Sequence, residues 1–403
     1  MSQATGVLGS ARAPYLRVVG AVSAAHFVSH YYQLILAPLL PFVRDEYHVT
    51  YTQIGLVLAT FNVVTAALQT PAGFLVDKLG ARALLVAGLA IGASAFVVAG
   101  LVHSFLVMVL MFAIAGIGNT VYHPADYAML SQHVSSKQIG QAFSVHTFAG
   151  MMGSAVAPAS LLVMESVWGW RGAFIGAGIL GFVVAAVLLS IRAHPGATPS
   201  VTTAQARAPE SPAGWRLLFS GPILLNLLFF VLLALISGGL YNYSVAALVA
   251  LYGTPLTIAN AALSANLLLS AIGVLFGGFL VGRTIRHGAI ATIGLTVMAI
   301  AIALVAWIDL ASFALIATMA IGGFFSGIIM PSRDMIVRQI TPPGSFGKVF
   351  GFVTTGFNIG GIASALIFGA IMDHGSPRLV FLAIAAFSLI SIATVVTRPA
   401  RRP

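Results

Sequence analysis

No cysteine occurs anywhere in the 403-residue chain. Disulfides, thiolate metal sites and cysteine nucleophiles are therefore excluded, although the absence assigns no compartment. Charge is almost as scarce. Only 7% of residues are Asp, Glu, Lys or Arg, whereas 59% are hydrophobic. A soluble domain carries about 25% charged residues, so that class is excluded. Acids are rarer than bases, 9 against 19, which leaves a formal charge of +10. Such an excess signals nucleic acid when it clusters on one surface. Here its distribution has another cause.

What the chain does have is long apolar runs. A membrane-spanning helix takes about 20 mostly apolar residues. Twelve candidates lie at 16–42, 52–76, 84–103, 105–131, 138–164, 170–191, 219–251, 257–281, 289–308, 310–337, 347–372 and 377–397. The expected fold class is an all-α membrane protein of twelve transmembrane helices. The many glycines and prolines inside the runs fit this class, because neighbouring helices satisfy freed backbone groups in lipid. Residues 1–15 are small and polar, and the first apolar run is too long for a signal peptide. That run is expected to remain as the first helix.

Twelve spans with the N-terminus inside put 15 Lys and Arg on inner loops and 3 on outer loops, with Arg333 inside a span. This is the positive-inside rule. The basic charge is topological, and both termini are expected in the cytoplasm of a bacterial inner membrane. The one long loop, 192–218, holds Pro195, Pro199, Pro209 and Pro212 among small polar residues. It reads as a flexible cytoplasmic linker. It separates a bundle at 1–191 from a second bundle at 219–403 with a short basic tail.

The two bundles repeat one another. Gly73-Phe74-Leu75-Val76 recurs as Gly278-Phe279-Leu280-Val281. In a second register Gly116 matches Gly323, Pro124 matches Pro331, Phe143 matches Phe350 and Gly153 matches Gly360. A duplicated helical half is the build of a secondary transporter, with its substrate site between the halves at mid-depth.

Gly73-x-x-x-Asp77-x-x-Gly80-x-Arg82, on the loop after the second span, resembles the signature loop of the major facilitator superfamily. The resemblance implies two six-helix bundles and an inner conformational latch at Gly73, Asp77, Gly80 and Arg82. The second copy has Gly282 in place of the acid but keeps Arg283 and Arg286. A narrower likeness lies in Ala25–Gln33 and in Gly116–Pro124, followed by Asp126. Both segments look like the fosmidomycin-resistance branch of drug-efflux transporters, although His30 stands where that branch would carry an acid or amide.

Ionisable groups inside a membrane are costly and are functional candidates by default. His26 and His30 lie four apart on one face of span 1, and Gln33 extends the stripe. Asn119, His123 and Asp126 form a stripe on span 4, and His146 lies on span 5. At 1.5 Å per residue, His26, His123 and His146 sit roughly 12–15 Å from the inner ends of their spans. Three helices thus bring imidazoles and one carboxylate to one level. Asp126, His123 and His146 are the proton-coupling candidates, because imidazole titrates near neutral pH in water. His30, Gln33, Asn119, His123, Tyr241, Asn242, Arg333 and Asn358 are the substrate-binding candidates.

Arg333 is the repeat counterpart of Asp126. Its readings are a pair with Asp126 across the cavity, a contact with an anionic substrate, a pair with neighbouring Asp334, or snorkelling to inner phosphates. Gly238-Gly239 points to a bend in span 7. Gly150-x-x-Gly153 with Pro158 fits either an antiporter pattern or a close helix contact. His123-x-x-Asp126 with His30 has the donor types of a metal site, but without cysteine or a second acid nearby no metal or other cofactor is expected.

The leading function is proton-coupled efflux of a small organic solute by alternating access, an antiport, through a monomer. Proton-coupled uptake of a small organic anion is the alternative. An intramembrane His/Asp metal-dependent enzyme ranks below both, because an enzyme has no need of two similar halves. The topology is testable at once, since the chain has no native thiol. A cysteine at position 206, Ala206→Cys, is expected to react with an impermeant maleimide only after the inner face is opened. Labelling from the periplasm of intact cells would contradict twelve spans with inner termini.

Overall fold

The structure is a computed structural model. It describes residues 3–135, 138–190, 214–281, 283–342 and 346–396. For residues 3–15, 77, 140, 214–215, 346–348 and 396 it describes the backbone alone. In chain order the helices are α1 (Gln3–Gln33), α2 (Leu40–Tyr47), α3 (Tyr51–Leu79), α4 (Ala81–Leu101), α5 (Phe105–Asn119), α6 (Tyr122–His133) and α7 (Ile139–Ser190). They continue as α8 (Gly214–Leu218), α9 (Gly221–Tyr252), α10 (Leu256–Val281), α11 (His287–Trp307), α12 (Ser312–Ile340), α13 (Phe346–Asp373) and α14 (Pro377–Val396). No strand occurs among the described residues. The expected linker falls almost wholly on residues 191–213, which lie outside the described residues, as does the basic tail at 397–403.

Ten helices among the described residues are long and apolar enough to cross a membrane. One of them, Gln141–Ser190, has 50 residues. At 1.5 Å per residue it would run about 75 Å, more than twice the roughly 30 Å apolar core of a bilayer. The backbone resolves this at Gly169, whose φ of 69° and ψ of 168° are not helical. A positive φ is open to glycine at no steric cost, so α7 supplies two spans, as the sequence predicts. With α1, this makes twelve.

Two predicted spans are not single straight helices. Span 1 ends at Gln33, and a turn over Leu34–Leu39 leads into α2. Pro38 cannot donate to the carbonyl four residues back, and Pro41 is pre-set for the first turn of a new helix. Span 4 divides into α5 and α6 at Thr120-Val121. Pro124 withholds the N–H that the Thr120 carbonyl needs, and its ring crowds that carbonyl. The Thr120 amide and hydroxyl both turn back to the Ile117 carbonyl, at 3.2 and 2.7 Å. The repeat counterpart Pro331 lies inside an unbroken α12. No break occurs at Gly238-Gly239 either, since α9 is helical throughout. A Cβ on Gly239 would collide with the Phe368 ring, and one on Gly238 with the Ser364 hydroxyl. These glycines make room for α13.

Contacts divide the chain into two units, Met1–Ile35 with Val63–Val201, and Leu36–Asn62 with Thr202–Pro403. In the first unit α7 packs on α1 and α4, and α6 packs on α1, α4 and α7. In the second, α9 packs on α13 and α14, and α12 on α10 and α11. The N-terminus of α3 belongs to the second unit and is doubly capped. Thr50 and Gln53 exchange backbone-to-side-chain bonds at 2.7 and 3.2 Å, a capping box. The Asp373 carboxylate then accepts from the amides of Tyr51 and Thr52, at 2.6 and 2.8 Å.

The sequence repeat reappears as a packing repeat. Gly153 of α7 lies against the Phe27 carbonyl of α1, and its counterpart Gly360 of α13 lies against the Val231 carbonyl of α9. A Cβ at either position would meet backbone, which cannot swing aside. Close backbone approach through small residues is how membrane helices pack without a hydrophobic drive. Gly153→Ala is therefore expected to cost about 1–3 kcal/mol of stability, as overpacking does. Gly20→Ala, with nothing within 4 Å of the added methyl, should cost nothing. Thermal unfolding in detergent micelles reads the difference, and equal midpoints for the two variants would contradict this packing.

Candidate functional site

Four imidazoles, from α1, α6 and α7 of the first unit, gather around Asp126. The carboxylate is fully buried, with 0% of its surface exposed. One oxygen, Oδ2, lies 3.1 Å from His26 Nδ1 on α1. The same oxygen lies 3.7 Å from His146 Nε2 on α7. The imidazoles of His26 and His146 face each other with centroids 3.8 Å apart. His30 and His123 approach the His26 ring at 4.7 and 5.3 Å. His26 and His146 are buried, His30 is half-buried and His123 is exposed.

Local sequence explains the convergence. His26 and His30 share a face of α1 because they are one turn apart. Gly150 of α7 opposes them. A Cβ there would come within 2.5 Å of His26 Cδ2 and 2.9 Å of His30 Cδ2, so glycine leaves the space both rings fill. His30 Nδ1 lies 3.3 Å from Ser154 Oγ, one turn further along α7. Thus Gly150 serves the site, while Gly153 makes the close helix contact.

The cluster is incompletely satisfied. Asp126 Oδ1 and both ring nitrogens of His146 are buried without a hydrogen-bond partner among the described residues. The Tyr122 hydroxyl is in the same condition. Buried polar groups are nearly always bonded, so several exceptions at one place mark a position where something else binds. A carboxylate with adjacent imidazoles can hold and pass a proton, accept from a solute donor, or ligate a cation.

The sequence named most of this cluster and ranked it differently. His123 was paired with Asp126 on one continuous stripe. His123 and Asp126 both lie on α6, and the break at Thr120-Val121 parts only Asn119 from them. The imidazoles that meet the carboxylate are His26 and His146, at 3.1 and 3.7 Å. Asn119 is left half-buried at the end of α5, and Gln33 is exposed at the end of α1. Ser154 joins the site through His30, and its place one turn after Gly150 is the sequence signal for it. The Tyr31-Tyr32 pair forms part of the buried packing. The Tyr31 hydroxyl meets Ser160 Oγ at 2.9 Å, and Tyr32 donates to the Ala177 carbonyl at 3.2 Å.

The candidates of the second unit are neutral apart from Arg333. The Arg333 guanidinium binds Asp334, with Nε and a terminal nitrogen each 2.8 Å from Oδ1. It also lies over the rings of Phe230 and Phe357, at 4.9 and 5.1 Å. The expected pair with neighbouring Asp334 is thus formed. Asn242 donates to the Gly238 carbonyl at 3.1 Å and leaves its own Oδ1 buried and unbonded. Tyr241 and Asn358 are half-buried. In the signature loop, Gly80 has a φ of 89° that suits glycine, and Gly73 has open space around it. Arg82 donates to the carbonyls of Leu188 and Leu189, at 3.0 and 2.5 Å. These are among the carbonyls that the end of α7 leaves unpaired. The Asp77 side chain lies outside the described residues.

Comparison with known proteins places this geometry in context. The family described as Major Facilitator Superfamily matches residues 22–256 and 227–403. The fosmidomycin resistance protein of Escherichia coli (strain K12) is 26% identical over 390 residues, covering 94% of this chain and 92% of that protein. The probable L-galactonate transporter of the same strain is 32% identical over 143 residues, covering 36% of this chain and 32% of its own length. Among solved structures, the nucleoside transporter NupG superposes with a TM-score of 0.75 at 15% identity, over 95% of this chain and 98% of that one. That likeness is one of fold alone.

Proposed function

The chain belongs to the Major Facilitator Superfamily, and we propose that it exports a small organic solute in exchange for protons. It is a multi-pass inner-membrane protein of a family of secondary transporters. The carrying observation is the buried Asp126 held by His26 and flanked by His146. Alternating access needs a ligand that changes the relative stability of two states. A proton on this cluster meets the need, because gaining or losing it alters whether Asp126 binds its imidazole neighbours. His123, the exposed member, takes the solute side. His30, Gln33, Asn119, Tyr241, Asn242, Arg333 and Asn358 are the further solute contacts of this reading, and the protein works as a monomer with both termini in the cytoplasm.

Efflux is favoured by the near-full-length similarity to a fosmidomycin resistance protein. Uptake of a small organic anion is the second reading, favoured by the partial similarity to a probable L-galactonate transporter. Flux in proteoliposomes with a panel of phosphonates, organic acids and hydrophobic drugs separates them by the direction in which a pH gradient drives the solute.

Two variants test the mechanism. Asp126→Asn keeps the shape of the side chain but carries no titrating proton. It is expected to abolish transport driven by a pH gradient while retaining solute exchange at equal pH. His123→Gln should weaken both. Normal gradient-driven transport by Asp126→Asn would show the acid to be structural. In the signature loop, Asp77→Asn is expected to slow transport with a smaller effect on solute affinity, because the acid stabilises a conformation and does not touch solute. An unchanged rate would remove the latch.

A further inference from the structure

We infer that His26, Asp126 and His146 form a binding site for a divalent transition-metal cation of the zinc class. The three residues offer His26 Nδ1, Asp126 Oδ2 and a His146 nitrogen, with all ligand atoms within 4.8 Å of one another. A tetrahedral zinc ion with bonds of about 2.0–2.1 Å sets its ligand atoms roughly 3.3 Å apart. The two separations at the carboxylate, 3.1 Å to His26 and 3.7 Å to His146, bracket that value. With all three ligand atoms within 4.8 Å of one another, a bound ion would draw the imidazole nitrogens together to complete three corners of a coordination shell. His30 and His123 stand beside the His26 ring, with centroids 4.7 and 5.3 Å away.

A second observation points to a ligand. Asp126 Oδ1 and both nitrogens of His146 are buried and lack hydrogen-bond partners. A metal ion on Nε2 of His146 would satisfy one of these atoms. Imidazole with carboxylate selects zinc, cobalt, nickel or copper over magnesium and calcium, which take oxygen ligands. With no thiol in the chain, no cysteine competes for the ion. Binding is an exchange. The cation enters, and any proton held between His26 Nδ1 and Asp126 Oδ2 leaves to bulk water, so metal and proton exclude each other at that pair.

This site shares residues with the proton-coupled reading but rests on donor geometry alone, and its test involves no flux. The full-length chain, without a histidine tag, is titrated with Co²⁺ in detergent micelles. Visible absorption reports the coordination geometry, and equilibrium dialysis reports the stoichiometry. The expected result is one Co²⁺ per chain with the intense bands of a four-coordinate ion, displaced by Zn²⁺ and not by Mg²⁺. Loss of an outer-shell partner costs a metal site about 10–100-fold in affinity. Loss of a ligand by Asp126→Asn or His146→Gln should cost at least as much, whereas His374→Gln should change nothing. Thermal unfolding confirms that each variant is folded, and His26→Gln gives an independent third removal. Absence of binding at millimolar Co²⁺, or affinity unchanged in Asp126→Asn and His146→Gln, overturns the site. Intact metal binding in a protein that moves no solute would overturn the transport reading instead.

Discussion

A carboxylate buried in an apolar helical bundle is the constraint on which the first unit depends. Removing an ionisable group from water costs several kcal/mol unless other polar groups answer it. Asp126 is answered by His26 and approached by His146. That demand brings α1, α6 and α7 to one point. It requires glycine at position 150, because any side chain there would occupy the space of the His26 and His30 rings. It also places the bend at Thr120-Val121 beside the site, since α6 carries the acid and begins where that bend ends. Polar residues, a glycine and a proline that look unrelated along the chain are parts of one arrangement.

The two units use the same packing device and differ in their chemistry. Gly153 on Phe27 and Gly360 on Val231 are one contact made twice. The charged groups are not duplicated. Where the first unit gathers four imidazoles around an acid, the second has Arg333 paired with the adjacent Asp334 and stacked on two phenylalanines. The repeat covers the packing contact and leaves the ionisable groups unlike. This is expected if close backbone contacts tolerate little change while cavity-facing positions are free to vary with the ligand.

Much of this was legible in the sequence. Apolar run length gave the spans, because bilayer thickness fixes helix length. The His and Asp positions stood out because such groups are rare in apolar runs. The Thr50-x-x-Gln53 capping box is a local signal for the start of α3. Other features could not be read from spacing. A proline disturbs a helix only as far as its surroundings allow, so a break lies just before Pro124 while α12 runs unbroken through Pro331. Which imidazole reaches Asp126 depends on the distance between α1, α6 and α7, and spacing along one helix carries no such information. For the same reason His123 seemed the natural partner and His26 did not. The cap of Asp373 on α3 joins residues more than three hundred positions apart, beyond the reach of any local pattern.

The central claim is that Asp126 and His26 act as a unit. A double-mutant cycle tests it most directly, using reversible unfolding of the wild type, Asp126→Asn, His26→Gln and the double variant in one detergent. Contacting residues in one hydrogen-bond network couple by about 0.5–3 kcal/mol, and the geometry predicts a value in the upper half of that range. The double variant should then be little less stable than the worse single variant. Additive effects, with a coupling indistinguishable from zero, would contradict the account.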